Sequence, residues 1–238
     1  MNSLITATAI LVLGATMSLA QTVRMGTEGA YPPYNFINDN GEVDGFEREL
    51  GDELCARAEL TCEWVTNEWD SIIPNLVSGN YDTIIAGMSI NAERDEVIDF
   101  TDPYTLADPS AYAALSADVD LDGGVIAAQT GTIQASHIAA SGATLVEFAT
   151  PDETIAAVRN GEVDAVLADK GFLEPIVSES NDLTFAGEDI LLGSGIGVGV
   201  RESDTELKEK LNVAIASMKE DGTLNELLAK WLPELNRW

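Results

Sequence analysis

The sequence predicts an α/β fold of two similar lobes joined by two crossings of the chain. Three observations carry that prediction. Short apolar runs of strand composition alternate with segments of helical periodicity. A unit of helix, glycine, strand and polar loop occurs twice. In it Gly79-Asn80-Tyr81-Asp82-Thr83-Ile84-Ile85-Ala86-Gly87 lies over Gly161-Glu162-Val163-Asp164-Ala165-Val166-Leu167-Ala168-Asp169. Residues 105–115 lead from the first unit to the second, and residues 191–199 lead back. The return stretch holds Gly193, Gly195, Gly197 and Gly199, which can absorb dihedral change, and two crossings allow a hinge.

The elements follow in order. Residues 23–27 read as a strand. Asp44 and Glu47 form a capping box, and Phe46, Leu50 and Leu54 follow at helical spacing. Cys55 stands near the end of that helix, and a strand over residues 62–65 begins at Cys62. Two cysteines in an exported chain suggest one disulfide, which would pin helix to strand. A helix over residues 70–78 turns Ile72, Ile73, Leu76 and Val77 inward, holds Pro74 in its first turn and stops at Gly79. Residues 82–86 are a buried strand.

The second half repeats the plan. A strand over 125–128 runs into Thr130-Gly131-Thr132, which opens a helix carrying His137. Thr150-Pro151-Asp152-Glu153 combines an N-cap, a proline at the first helical position and a capping-box glutamate. Ile155, Ala156 and Val158 face inward, Gly161 stops the helix, and residues 163–168 form the next strand. Ser203 with Glu206, and Thr223 with Glu226, are capping boxes for two terminal helices separated at Gly222. These helices should pack back on the first lobe.

The 238 residues, 45% of them hydrophobic, can build a sizeable core. The net charge of −29, from 41 acidic and 12 basic residues, repels phosphate backbones and excludes nucleic acid as a partner. It bears on solubility and on attraction of cationic solutes. Residues 1–20 carry no charge, Leu4 to Leu13 is an apolar run, and Ser18-Leu19-Ala20 has the small residues of a cleavage site. The expectation is a signal peptide over residues 1–20, with Gln21 as the mature start. Two cysteines and the distant His137 do not make a tetrahedral metal set, so neither metal nor cofactor is expected.

In open α/β sheets, ligands sit beyond the carboxyl ends of the strands. The candidates are therefore Glu28 and Tyr31 after the first strand, then Gly87, Met88, Ser89 and Arg94, then Thr132 and Ile133, then Asp169, with Trp69 nearby. Arg94 offers a planar fork for a carboxylate. The N–H groups at Thr132 and Ile133 start a helix, which favours an anion. Asp169 suits an ammonium, Ser89 and the Gly87 carbonyl add neutral partners, and Tyr31 and Trp69 could enclose a side chain. A cation site beside an anion site complements a zwitterion, and a free α-amino acid fits. The alternatives are that Arg94 is an exposed helix charge, Asp169 a helix cap, Ser89 an N-cap and Trp69 a core side chain.

With these residues in place the sequence resembles the periplasmic polar and basic amino-acid-binding proteins of ABC importers, the lysine/arginine/ornithine- and histidine-binding group of bacterial solute-binding protein family 3. The resemblance runs from about Thr22 to Leu235. It is carried by Gly26-Thr27-Glu28-Gly29-Ala30-Tyr31-Pro32-Pro33-Tyr34, Gly45-Phe46-Glu47, the Cys55–Cys62 spacing, and Trp69-Asp70-Ser71-Ile72-Ile73-Pro74. Met88-Ser89-Ile90 with Arg94, Phe100-Thr101-Asp102-Pro103-Tyr104, Gln129-Thr130-Gly131-Thr132 and Leu167-Ala168-Asp169 complete it.

The resemblance implies a type II periplasmic-binding fold, each lobe a mixed sheet flanked by helices. Residues 21–108 and 194–238 would form lobe one, and residues 109–193 lobe two. Arg94 looks like the carboxylate clamp, Asp169 like the α-ammonium partner, Trp69 and Tyr31 like aromatic walls, and Gly87 and Ser89 like contacts to the ligand main chain. Cys55 and Cys62 look like the family disulfide. Ile133 departs from the hydroxyl residue often found there in basic-amino-acid binders. Glu28 looks like the partner of a distal cation, implying arginine, ornithine or lysine; the alternative is a Glu28 that faces solvent or bonds the backbone. The implied protein is a periplasmic monomer that delivers its amino acid to ABC permease subunits and is not an enzyme. The competing readings are a cyclohexadienyl or arogenate dehydratase on the same fold, or a receptor for another polar amino acid or an opine.

Overall fold

The structure, a computed structural model, describes residues 22–238. The expected signal peptide over residues 1–20 lies outside them. Lobe one opens with β1 (Thr22–Thr27), followed by a small antiparallel sheet of β2 (Ala30–Tyr31), β3 (Asn35–Ile37) and β4 (Val43–Asp44). Then come α1 (Phe46–Arg57), β5 (Thr61–Thr66), a 3-10 turn at Trp69–Ser71, α2 (Ile72–Val77), β6 (Thr83–Ile84), α3 (Ala92–Asp95) and β7 (Asp99–Phe100). Lobe two holds β8 (Ser110–Ala114), β9 (Val125–Gln129), α4 (Ile133–Ala139), β10 (Thr144–Phe148), α5 (Pro151–Arg159), β11 (Ala165–Asp169), α6 (Lys170–Glu179) and β12 (Thr184–Ile190). The chain returns through β13 (Gly199–Val200) and ends in α7 (Thr205–Asp221) and α8 (Thr223–Trp231).

The two main sheets have matching orders, β5-β1-β6-β13-β7 and β10-β9-β11-β8-β12. In each, three parallel strands linked by helices are extended by two more through antiparallel pairing, so that only the fourth strand, β13 or β8, runs against the rest. The repeated unit of the sequence is visible here. α2, Gly79 and β6 occupy the place in the first sheet that α5, Gly161 and β11 occupy in the second. Both glycines stand in the left-handed region, at φ +82° and +71°, where a Cβ would be strained.

Lobe one buries apolar side chains on both faces of its sheet. On one face Met25, Phe46, Leu50 and Leu54 meet Leu211, Ile215, Met218, Leu224 and Leu228 of the terminal helices. On the other, Ile72, Leu76, Tyr81, Ile84 and Phe100 pack together. Cys55 and Cys62 form a disulfide with 6.3 Å between their Cα atoms, tying the end of α1 to β5. Residues 101–109 and 191–198 run beside each other between the lobes. The Tyr104 N–H donates to the Ile196 carbonyl at 2.8 Å, and Thr105 and Ser89 each form a bridge with Ile196.

Several local expectations are corrected. Val77 is 51% exposed, and it is Ala157, not Ala156, that is buried in α5. Of the four return-stretch glycines only Gly195 has a positive φ; Gly197 and Gly199 instead admit Ile90, Ile84 and Ile98 close to the backbone. The Thr150–Glu153 capping box forms as expected. The other three do not. α7 starts after Asp204, α8 starts after a left-handed Gly222, and neither has a side-chain cap bond. α1 starts after Gly45, and Glu47 is fully buried.

Candidate functional site

The carboxyl ends of β1, β6, β9 and β11 converge on a narrow cleft between the lobes, with about 330 Å³ of atom-free space including its open mouth. Nine of the ten expected residues line it: Glu28, Tyr31, Trp69, Gly87, Ser89, Arg94, Thr132, Ile133 and Asp169. The tenth, Met88, turns into the lobe-one core with Ile84 and Ile98 and is 1% exposed. The cleft is also lined by Ala86, Gln129 and Gln134, which sequence reasoning missed.

Arg94 is the guanidinium of the cleft. It is not an exposed helix charge but 8% accessible. Its Nη1 donates to the Ser89 carbonyl at 2.8 Å and its Nη2 to the Gly131 carbonyl of lobe two at 3.3 Å. The guanidinium carbon lies 5.4 Å from the Trp69 ring centroid. Among the described residues no carboxylate forms a salt bridge with it. Burial pushes its pKa down to about 10, against the opposing charges of Asp169 and Glu93. Asn91, not Ser89, caps the short helix, accepting from the Arg94 N–H at 2.8 Å.

Asp169 ends β11 and stands at the N-cap position of α6, but its side chain makes no cap bond. Its Oδ2 accepts from the Tyr31 hydroxyl at 3.0 Å and its Oδ1 from Gln134 Nε2 at 2.8 Å. Burial raises its pKa to about 7, and the charge of Asp108 adds to the rise. Glu28 neither faces open solvent nor bonds the backbone. Its Oε1 accepts from Gln129 Nε2 at 2.6 Å, and burial lifts its pKa to about 7. Tyr31 stacks on Phe172, with centroids 4.3 Å apart and planes 9° from parallel. Thr132 caps α4, so its hydroxyl is engaged by the Ala135 N–H and the Gln129 carbonyl. The bonds of Glu28, Tyr31 and Arg94 to lobe-two partners hold the lobes in a closed arrangement.

Beneath the cleft lies a buried carboxylate. Glu47 Oε1 accepts from the Gly87 N–H at 2.6 Å and from the Tyr104 hydroxyl, and Oε2 accepts from Asn35 Nδ2 at 2.7 Å. Asn35 Oδ1 in turn accepts from the Gly29 N–H at 2.7 Å. The loops after β1 and β6, which carry Glu28 and Gly87, therefore hang from one side chain.

The electrostatics predict a pH profile. Burial raises Glu28 to about 7, Asp169 to about 7 and Asp108 to about 6. A carboxyl raised in the folded state stabilises fully below its unfolded value near 4, and that stability is lost as pH rises through the folded value. The amino-acid-free protein should therefore melt at falling temperature between about pH 4.5 and 7.5. Glu28→Gln should flatten the decline. Scanning calorimetry across that range checks both, and a melting temperature that climbs with pH would contradict the assignment.

Three comparisons place this geometry among known proteins. The family described as bacterial extracellular solute-binding proteins, family 3, matches residues 23–234. The histidine-binding periplasmic protein of Escherichia coli (strain K12) is 34% identical over 91% of this chain and 90% of its own. The lysine/arginine/ornithine-binding periplasmic protein of the same strain is 31% identical over 90% of this chain and 88% of its own. Among solved structures, a periplasmic His/Glu/Gln/Arg/opine family-binding protein from Silicibacter pomeroyi, in complex with lysine, superposes with a TM-score of 0.89. It is 70% identical, and the match covers 91% of this chain and 100% of that one.

Proposed function

The chain belongs to family 3 of the bacterial extracellular solute-binding proteins, and from that premise we propose that it is the periplasmic receptor of an ABC importer, closing its lobes on a free basic amino acid. One observation carries the reading. Arg94, a buried guanidinium in lobe one with no carboxylate salt bridge among the described residues, and Asp169, a buried carboxylate in lobe two, line a single cleft. Arg94 takes the ligand carboxylate and Asp169 its α-ammonium, with the Gly87 carbonyl and Ser89 beside them. Trp69 and Tyr31 bound the side chain, and the helix start at Thr132 and Ile133 adds N–H donors.

Glu28 supplies the selectivity for charge. With Glu28 and Asp169 ionised and Arg94 protonated, the cleft carries one net negative charge, which a lysine, ornithine or arginine neutralises. Glutamate would bring a like charge. Glutamine would leave the Glu28 charge without a cationic partner, at a cost of roughly 1–3 kcal/mol. Titration calorimetry with a panel of amino acids tests this; a preference for glutamate or leucine would refute it.

Residues 21–108 with 194–238, and residues 109–193, act as the lobes. They pivot on the two crossings after the signal peptide over residues 1–20 is removed. The protein works as a monomer, and the permease reads its closed shape. The ligand's contacts to both lobes add to the direct bonds of Glu28, Tyr31 and Arg94 to lobe two and shift the equilibrium further toward closure. Because Glu28 and Asp169 are raised to about 7, a cationic ligand must bind with loss of protons. Affinity for lysine or arginine should rise from pH 5.5 to 8, by up to about tenfold per pH unit for each proton released. Titrations in two buffers of different ionisation enthalpy measure that release; a flat profile without it would count against the assignment.

The dehydratase alternative draws on one observation. Glu28 and Asp169 are poised near neutrality, where a general acid works best. In the receptor reading both are already engaged in binding. Incubation with arogenate should release no phenylalanine, and release of it would make the enzyme reading the correct one.

A further inference from the structure

Gln129 is the last residue of β9 in lobe two, and only 8% of it is exposed. Its Nε2 donates to Glu28 Oε1 of lobe one at 2.6 Å and to the Ala149 carbonyl at 3.1 Å. Both partners are acceptors, so the amide must present its nitrogen to them. Its carbonyl oxygen receives no protein donor among the described residues, and the residue lines the cleft. Gln129 therefore does two things to the distal end of the site. It places a hydrogen on one oxygen of Glu28, and it adds a neutral acceptor of its own.

A terminal ammonium and a guanidinium respond differently to that arrangement. The ammonium is a compact charge with three rotatable donors, and it can use the other Glu28 oxygen together with the Gln129 carbonyl. The guanidinium is a planar fork that is best satisfied by both oxygens of one carboxylate side by side. Here the Gln129 hydrogen bond takes one of the two lone-pair sites of one of those oxygens, so a fork must share that oxygen while an ammonium can use the other. We infer that Gln129 is a specificity-determining residue that favours amino acids ending in an ammonium over those ending in a guanidinium. The inference rests on the basic-amino-acid reading above and refines it.

The Glu28–Gln129 bond also links the lobes, so its loss can weaken every ligand alike. The informative quantity is accordingly the ratio of lysine to arginine affinity, in which a uniform loss cancels. Titration calorimetry of L-lysine and L-arginine with the full chain, with Gln129→Met and with Gln129→Leu supplies it. The full chain should bind lysine the more tightly, by roughly 3- to 10-fold, the worth of one net hydrogen bond. Both variants should lose most of that preference. An unchanged ratio in the variants, or a full chain that prefers arginine, overturns the role of Gln129 while leaving the receptor reading standing. A full chain that binds neither amino acid removes the receptor reading for basic ligands, and this inference with it.

Discussion

Replacing Arg94 with alanine should weaken binding of the amino acid by roughly 30- to 4000-fold, the range expected when a buried charge loses its partner. The reason is the scarcity of positive charge in the cleft. Arg94 is the one basic side chain among the residues that line it, in a protein of net charge −29. Without it the ligand carboxylate would be buried facing Asp169 and Glu28. The fold should survive. The cap of α3 runs from the Arg94 backbone to Asn91, and the carbonyls of Ser89 and Gly131 can turn to water. Burial already disfavours the charged guanidinium, so the amino-acid-free variant should melt no lower than the parent. Arg94→Lys should fall between the two, since an ammonium lacks the fork. Titration calorimetry beside a thermal melt measures both quantities. Near-parental affinity in Arg94→Ala would remove the clamp role.

Local signals in the sequence were sufficient where the chain decides its own conformation. Thr150 adopts an extended backbone, φ −122° and ψ 153°, and Pro151 sets the first helical φ, so the capping box closes. The same pattern at Ser203–Glu206 and Thr223–Glu226 is overridden by the backbone before each helix. Asp204 sits at φ −91° and ψ 44°, and Gly222 is left-handed. The repeat of helix, glycine and strand was legible because both units obey the same short-range rules. The packing of the return-stretch glycines was not, because all four lie close against residues far away in sequence, such as Ser89, Ile90 and Thr105.

The cleft was legible to the extent that it follows the strand ends. Counting residues after each strand finds Glu28, Gly87, Ser89 and Thr132. It also picks Met88, whose alternation along the extended chain turns it inward instead. It passes over Gln129, which is the final residue of its strand, and Gln134, which lies inside the first turn of α4. A signal was present. Gln129 ends the otherwise apolar run Val125-Ile126-Ala127-Ala128, and a buried polar group in such a run demands a partner. The identity of that partner, 101 residues away, is a property of the closed lobes and not of any local segment.

Glu47 is where local and long-range readings part most sharply, and its replacement measures the difference. As a capping-box residue its loss would cost about 1 kcal/mol. As the buried acceptor seen here, its removal strands the Gly87 N–H, the Asn35 amide and the Tyr104 hydroxyl. Each such donor costs roughly 1–3 kcal/mol, so Glu47→Ala should lose about 3–6 kcal/mol or more. For a chain of this size that lowers the melting temperature by roughly 6–24 °C, against about 2–4 °C for a lost cap. Amino-acid affinity should fall as well, since the Glu28 and Gly87 loops lose their common anchor. Glu47→Gln keeps one acceptor oxygen but turns an NH₂ toward a donor, so it should lie between the two. A melt of Glu47→Ala within about 4 °C of the parent would fit the cap and refute the anchor.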